Sequence, residues 1–336
     1  MYKILDKQLK CIWYNPILAG RYLIANSLDK TVSIFELSNL EEQAKVGSEI
    51  GYVRVQSDYL LAQNSTSITV FEMENPESQF VLEGLQILPG QIDGRYLFCN
   101  TKDGEILKYD YISRKGIWKS NGQFGSSVHV VKSGLLYNQK SFFSRVVYCV
   151  GIDNGELLWE KDISDIGKYE EGDQVKKGKL NLPILTTDET TTLSLSNNLL
   201  VGLDSSTGEV LWQSEGMAYL KPYGETLYSL GASSYAEIDA KTGETIKQVN
   251  LEDQYKALEI QNSAASYTVD EDYIYFNDVR KAKVGILEKA TGNIIWTFKL
   301  PVKEGVTIPA SNVPQVHENR MYILDSEGTL HIFEKE

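Results

Sequence analysis

The chain is a succession of short segments in which apolar and polar residues alternate. Six similar segments carry aromatic and β-branched residues at every second position between Asp, Gly or Asn: RYLIANS (21–27), DYLLAQN (58–64), RYLFCNT (95–101), ETLYSLG (225–231), DYIYFND (272–278) and RMYILDS (320–326). Alternation with such boundaries predicts β-strands. A turn and a second strand-like segment follow each of them, and helical periodicity of useful length is almost absent. The pattern predicts an all-β protein.

Acidic residues near the ends of the second segments mark a repeat. They are Glu36, Glu72, Asp110, Asp153, Asp204, Asp239, Glu288 and Glu334. Their spacing, in the low forties on average, is that of one four-stranded propeller blade. Residues 1–336 are therefore predicted to form a single closed β-propeller of eight four-stranded antiparallel blades. Seven blades is the alternative if a middle unit is an irregular insertion.

Closure of the ring is the next expectation. We expect a strand near residues 9–13 to lie beside the C-terminal strand at 329–334. Such a pairing removes the open sheet edges that would otherwise favour aggregation.

One spacing of an acidic residue, Gly and Trp occurs twice, in GLDSSTGEVLWQSEG (202–216) and ILEKATGNIIWTFKL (286–300). Asp204 ends one strand and caps the turn, and Gly208 supplies the positive φ of a tight hairpin, as Gly292 does in the second segment. The next strand then carries Trp212 or Trp296 to an apolar face. A large aromatic at this position fills the wedge between neighbouring blades.

All five tryptophans fit this docking role. They are Trp13, Trp118, Trp159, Trp212 and Trp296. The unit from Asp239 to Lys247 keeps the turn but has a lysine at the Trp position. That blade must therefore dock on its neighbour by another contact.

The segments LDSSTGEVLW, LEKATGNIIW, GIDNGELLW and EIDAKTGETIK resemble the repeat of the PQQ-like β-propeller superfamily. The resemblance covers about residues 93 to 300, while the first two units and the last diverge. Quinone-dependent dehydrogenases of this superfamily are typically longer and exported, with a calcium-coordinating Glu/Asn/Asp set and often adjacent cysteines. This chain has no adjacent cysteines and no recognisable equivalent of that set. The resemblance thus implies a non-enzymatic branch that uses no cofactor.

The charge composition limits the classes of molecule that the protein is expected to bind. The chain has 33 Lys and Arg residues against 46 Asp and Glu, a net charge of −13. Nucleic acid and anionic membranes would be repelled, whereas a basic protein would not. Apolar runs are too short for a membrane span. The charged N-terminus does not resemble a signal peptide. We expect a cytoplasmic protein if the chain is complete, and a periplasmic or secreted one if a leader was removed.

Candidate chemistry is sparse. His129, His317 and His331 lack the spacing of a metal site, so no bound metal is predicted. The three cysteines are interpreted as buried reduced thiols. No GxSxG nucleophile motif and no phosphate-binding loop occurs. No catalytic residue is predicted.

Elimination favours a non-catalytic, monomeric protein-interaction scaffold that binds through its loop face. Candidate partner-binding residues are Tyr52, Arg54, Phe124, Tyr169, Lys176, Tyr219 and Tyr223. Residues 162–181 predict either a solvated loop or a protruding contact loop. A narrower hypothesis is an acidic inhibitor or immunity-type partner of a basic protein. The alternatives are small-molecule or carbohydrate binding in the central pore, or a divergent quinone-dependent oxidoreductase.

Overall fold

The computed structural model describes residues 2–5, 9, 16–56, 58–87, 95–101, 103–120, 124–131, 134–139, 145–171, 174–195, 198–216, 219–231, 233–261 and 266–336. Side chains are described for these residues except 56, 124–127, 138–139, 169–171 and 182–183.

The described residues form eight four-stranded antiparallel sheets, which are the eight blades of a β-propeller. The N-terminal strand is β1 (Tyr2–Ile4). Blade 1 contains β2 (Ile17–Ala19), β3 (Tyr22–Asn26), β4 (Val32–Glu36) and β5 (Glu42–Val46). Blade 2 contains β6 (Tyr52–Gln56), β7 (Tyr59–Gln63), β8 (Ser67–Glu72) and β9 (Asn75–Glu83). Blade 3 contains β10 (Leu85–Ile87), β11 (Tyr96–Thr101), β12 (Ile106–Asp110) and β13 (Lys115–Ser120). Blade 4 contains β14 (Phe124–Val131), β15 (Gly134–Gln139), β16 (Val146–Val150) and β17 (Leu157–Asp162).

A two-stranded hairpin separates the two halves of the chain. It consists of β18 (Tyr169–Glu171) and β19 (Gln174–Lys176). Blade 5 contains β20 (Leu180–Thr186), β21 (Thr190–Leu195), β22 (Leu199–Asp204) and β23 (Val210–Glu215). Blade 6 contains β24 (Leu220–Tyr223), β25 (Thr226–Leu230), β26 (Ser234–Asp239) and β27 (Thr245–Asn250). The helix α1 (Glu252–Ala257) follows blade 6. Blade 7 contains β28 (Tyr267–Val269), β29 (Tyr273–Asp278), β30 (Lys283–Glu288) and β31 (Asn293–Lys299). Blade 8 contains β32 (Gln315–His317), β33 (Arg320–Leu324), β34 (Leu330–Lys335) and β1.

The eight predicted blades and their antiparallel order are confirmed. Six of the eight acidic markers, from Glu36 to Glu288, are the last residue of a third strand. Asp153 instead lies in the turn after β16, and Glu334 is one residue short of the end of β34.

The core lies between the blades rather than within any one of them. Buried apolar residues form eight clusters, one at each seam between adjacent blades. At the seam between blades 1 and 2, for example, Ile24 and Ile34 pack with Leu60 and Phe71. Because both faces of a blade are covered by its neighbours, middle strands such as β3 are almost continuously apolar.

Strand polarity gives the ring two different faces. First strands of successive blades contact one another, as β20 does with β24, so they surround the central axis. Connections between blades, and those between second and third strands, emerge on one side, which we term the loop face. The remaining connections emerge on the opposite side, the turn face.

Three tryptophans dock each blade on the next by the same contact. The indole N–H of the fourth strand donates to a carbonyl in the third turn of the following blade. The pairs are Trp118 with Ile152 (3.0 Å), Trp159 with Ser205 (3.2 Å) and Trp212 with Ala240 (2.9 Å). Each tryptophan is buried. The hydrogen bond fixes where the following blade sits against the ring.

The turn glycine has a second role that the sequence motif did not indicate. Gly208 adopts φ +72°, as the hairpin requires, but it also lies against the tryptophan of the preceding blade. A Cβ on Gly208 would be 2.6 Å from the Trp159 ring, and one on Gly243 would be 2.5 Å from the Trp212 ring. Glycine is therefore required both for the turn and for the close approach.

The remaining two tryptophans, Trp296 and Trp13, do not show this docking contact in the described residues. Trp296 is half-buried and has no equivalent turn to dock on, because the fourth strand of blade 8 comes from the N-terminus. Its ring instead packs with those of Tyr2, Phe298 and Phe333, at centroid distances near 6 Å. Trp13 lies outside the described residues.

Lys247 replaces the tryptophan contact at the seam between blades 6 and 7. Its ammonium donates to the carbonyls of Lys289 (2.5 Å) and Ala290 (2.7 Å), in the same turn of the next blade. Val249 takes the place of the ring against Gly292, where a Cβ would be 2.7 Å from a Val249 methyl. Blade 6 thus keeps the hydrogen bond but not the bulky ring.

The N-terminal segment that forms a ladder with the C-terminal strand in the described residues is Tyr2–Ile4. Tyr2–Ile4 pairs antiparallel with the C-terminal strand, with Tyr2 opposite Lys335 and Ile4 opposite Phe333. Of the predicted segment 9–13 only Leu9 is described, and its carbonyl accepts from the Leu330 amide at 2.8 Å. The alternation of buried Tyr2, exposed Lys3 and half-buried Ile4 suits a fourth strand that contacts one neighbour.

A β-bulge recurs in the fourth strands of blades 3 to 7. The residue just before the docking position has no partner in the ladder, and its side chain is exposed in each case. These residues are Ile117, Leu158, Leu211, Ile246 and Ile295. Such bulges interrupt an outer edge that could otherwise pair with another chain.

Candidate functional site

The candidate site is on the loop face beside blade 5. It contains the hairpin β18–β19, which leaves the ring between blades 4 and 5, and Tyr219, which precedes β24 of blade 6. The first strand of blade 5 contacts the first strands of both neighbours. The hairpin and Tyr219 therefore flank one blade.

The base of the hairpin is held by close backbone packing. A Cβ on Gly167 would lie 3.0 Å from the Gly178 Cα and 2.7 Å from a Leu195 methyl. The Gly178 amide donates to the Ser164 carbonyl at 3.3 Å. Because Ile163 is buried in the seam between blades 4 and 5, the hairpin is anchored in the ring.

A hydrogen-bonded carboxylate begins the hairpin segment. The Ser164 amide donates to Asp162 at 2.8 Å. The hydroxyl and the amide of Ser164 lower the pKa of Asp162, against the opposing effect of burial. Asp162 is thus ionised at neutral pH and fixes the path of the chain out of β17.

An apolar side chain stands out on the hairpin. Val175 is 68% exposed, although the segment around it is rich in charged residues. Lys176 is next to it, and its ammonium donates to Gln174 at 2.8 Å. An exposed aliphatic group on an anchored hairpin outside the blades can be buried by a partner.

Tyr219 is held in an unfavourable backbone conformation with its ring in solvent. It has φ +59°, and its side chain is 54% exposed. The buried hydroxyl of Tyr267, from blade 7, contacts the carbonyls of Tyr219 and Tyr228. Burial raises the pKa of Tyr267, so this hydroxyl keeps its proton for donation. A left-handed conformation in an aromatic residue costs about 1–2 kcal/mol, and such strain is concentrated at functional sites.

The other predicted residues are distributed differently. Tyr52 is exposed at the start of β6, three blades from the hairpin. Arg54 is partly buried, and burial lowers its pKa. The charge of Tyr52 and a hydrogen bond with Tyr52 act in the opposite direction and offset only part of this effect. Tyr223 ends β24 and therefore lies on the turn face. The Lys289 ammonium is 4.9 Å from the centroid of the Tyr223 ring. The structure therefore separates Tyr223 from Tyr219.

Two candidates cannot be placed by their side chains. The backbone of Phe124 begins β14 at the loop face, and that of Tyr169 begins β18. Their side chains lie outside the described part of the structure.

Sequence reasoning did not single out Val175. It is one valine in the charged segment KYEEGDQVKKGK, and the Gly-Asp pair before it is a turn signal that could have revealed the hairpin. The segment was predicted only as a loop, solvated or protruding.

Within the described ranges, no three His, Cys, Asp or Glu side chains are grouped to hold a metal ion. No helix in the described part of the chain has the length and apolar character needed to cross a membrane.

Comparisons with known proteins agree with this architecture. A family model described as outer membrane protein assembly factor BamB matches residues 102–229 and 231–336, well over half of the chain. A comparison with curated protein sequences gives no significant match.

Several solved structures share the fold. BamB from Moraxella catarrhalis is 16% identical with a TM-score of 0.63, over 99% of this chain and 98% of that one. The computationally designed Ika8 protein is 10% identical with a TM-score of 0.66, over 98% of both chains. Sqt1 from Saccharomyces cerevisiae is 12% identical with a TM-score of 0.63, over 99% of this chain and 98% of that one. At these identities the similarity concerns the fold.

Proposed function

The chain belongs to the family of the outer membrane protein assembly factor BamB, with PQQ-like repeats, and from this premise we propose that it is a non-catalytic scaffold that holds a partner protein on its loop face. The family name refers to assembly of other proteins, and the partner in this proposal is a protein component of such a complex.

The observation that carries the proposal is the anchored hairpin with Val175 exposed at 68%. Val175 exposes apolar area to water on a hairpin anchored at its base, and covering that area with a partner is favourable. Tyr219 adds an aromatic group already fixed in one backbone conformation. Preorganised contacts of this kind lose less entropy on binding.

The ring supplies the rigid support. Its eight seams are packed with buried apolar side chains, and the hairpin β18–β19 is a separate sheet that contributes no strand to any of the eight described blades. Loops over such a framework can change without altering the fold. This separation of framework and contact surface is what a scaffold requires.

A deletion tests the proposal. Because Gly167 and Gly178 are already in backbone contact, residues 168–177 can be removed and the two glycines joined. We expect the partner captured by the intact protein from its native cell lysate to be lost, while the melting temperature stays within a few degrees. The control carries Leu158→Ser on the outer edge of blade 4 and retains the partner. Equal capture by the deletion variant would refute a role for the hairpin.

A further inference from the structure

The seam between blades 6 and 7 contains an open cleft on the turn face. Its volume is about 660 Å³, and its charged lining residues are Glu237, Lys247, Glu271, Asp272, Glu288 and Lys289. This is the seam at which Lys247 stands in place of a docking tryptophan. The slender lysine side chain leaves the outer part of the wedge unfilled.

The charges in the cleft do not cancel. Lys247 is bound to two backbone carbonyls, and the Lys289 ammonium donates to the Asp270 carbonyl at 2.7 Å. Among the described residues, neither ammonium forms an ion pair with the carboxylates of the lining. Four carboxylates therefore face the cleft with no cation paired to them.

The carboxylates keep free acceptor positions. Glu237 accepts one hydrogen bond from the Tyr235 hydroxyl at 2.5 Å, and Glu288 accepts one from the Thr291 hydroxyl at 2.7 Å. An ionised carboxylate has about four acceptor sites. Both groups can therefore accept from a donor placed in the cleft.

An apolar side chain borders these charges. The bulge in β27 turns Ile246 outward, where it is 58% exposed at the cleft. An arginine combines an alkyl stem that packs on such groups with a planar guanidinium that binds carboxylates in pairs. The volume exceeds one side chain and lies in the range of about 300–1,000 Å³ typical of ligand sites.

We infer that this cleft binds an extended, arginine-containing segment of a partner protein. The absent tryptophan provides the space, the unpaired carboxylates select the cation, and Ile246 packs against the alkyl stem of the arginine. The site is on the opposite face from the hairpin, so it goes beyond the proposed loop-face function. Removal of residues 168–177 leaves it unchanged, and failure of one proposal is distinguishable from failure of the other.

Fluorescence anisotropy tests the inference with a labelled octapeptide of alternating arginine and glycine. A second peptide has citrulline, which is neutral and similar in shape, at each arginine position. The double variant Glu271→Gln/Asp272→Asn removes two charges from the cleft. Glu209→Gln/Glu244→Gln removes two charges from turns of blades 5 and 6 outside it.

The expected result is specific to the cleft. The arginine peptide binds the unaltered protein about tenfold more tightly than the citrulline peptide, as expected for charge-assisted hydrogen bonds. The cleft variant loses about that factor, and the control variant loses less than about twofold. Equal losses in both variants would show that only the overall negative field attracts the peptide, which would overturn the inference. Displacement of the peptide by millimolar calcium at constant ionic strength would assign the cleft to a metal ion instead and would also overturn it.

A closing variant gives independent evidence. Lys247→Trp/Val249→Ser reproduces the pair Trp212 and Ser214 of blade 5, and we expect it to fill the wedge and abolish binding of the arginine peptide. A melting curve verifies that this variant is folded. Retention of tight binding by the folded variant would contradict the inference, and the charge variants decide the question if it does not fold.

Discussion

Truncation of Trp212 to alanine tests how the blades are held together. The ring is buried between blades 5 and 6, lies against Gly202 and Gly243, and donates its N–H to the Ala240 carbonyl at 2.9 Å. Loss of a buried tryptophan costs about 3–5 kcal/mol in cores, which includes the cavity left behind. The lost hydrogen bond accounts for about 1 kcal/mol of this cost. We expect Trp212→Ala to reduce the free energy of unfolding by about 3–5 kcal/mol.

Urea unfolding followed by circular dichroism measures the loss. Leu211→Ala is a matched control, because Leu211 is the adjacent bulge residue and is 46% exposed; its cost is expected to stay within about 0.5 kcal/mol. Trp212→Phe keeps most of the packing and removes the donor, so it should fall between the two. A loss below about 1 kcal/mol for Trp212→Ala, or equal losses for the neighbouring alanine variants, would refute the docking role.

Three further predictions follow from the packing and the charges. Gly243→Ala places a methyl group 2.5 Å from the Trp212 ring at a position with φ +73°, and it should lower the free energy of unfolding by about 2–4 kcal/mol. Gly224→Ala, at φ +57° in open space, should lower it by about 1 kcal/mol. The urea midpoints of the two variants separate the cost of the clash from that of the backbone conformation. Burial raises the pKa of Asp325, but hydrogen bonds with His331 and with the amides of Thr329 and Glu327 outweigh it and lower that pKa. The ionised Asp325 carboxylate therefore stabilises the fold fully above its unfolded pKa of about 4, and this stabilisation is lost as the pH falls through the folded pKa. Asp325→Asn should destabilise the protein at pH 7 and much less at pH 2. Unfolding measured at both pH values tests this prediction. Burial raises the pKa of the Cys99 thiol to about 12. In a Cys11→Ser background, a thiol reagent at pH 8 should therefore label Cys99 only after denaturation. Rapid labelling of the native chain would contradict the burial of this thiol.

The repeat made the architecture predictable from sequence. Strand alternation and an acidic residue at or near the end of the third strand are local signals that recur along the chain, so eight blades were favoured. The bounds of the closing strand were harder to predict, because its selection depends on pairing between the two ends of the chain. Both Tyr2–Ile4 and Leu9 pair with β34, but the spacing of Leu9 and Trp13 gave no information about the pairing of Tyr2–Ile4.

The docking contacts were predictable in type but not in detail. The sequence motif indicated that Trp212 fills a wedge, yet the acceptor on Ala240 and the fit against Gly243 involve the next blade. Likewise, the lysine at position 247 indicated a different contact without revealing that its ammonium reaches the same turn. Contacts across a seam depend on how two repeats meet, which a single repeat does not encode.

The candidate site was the least predictable part. Tyr219 and Tyr223 are four residues apart and were grouped together, but a strand between them carries one to each face of the ring. Assigning the direction of β24 from the repeat would have separated them. Val175 is distinguished only by its exposure, which depends on the hairpin and the packing of Gly167 against Gly178.

The most direct test of the scaffold proposal is site-specific photocrosslinking in the native cell. A benzoylphenylalanine at position 175 samples the hairpin, and one at position 158 samples the similarly accessible outer edge of blade 4. The account predicts one discrete adduct with a partner protein at position 175 and none at position 158. No adduct at 175, or the same adduct at both positions, would contradict binding through the loop face.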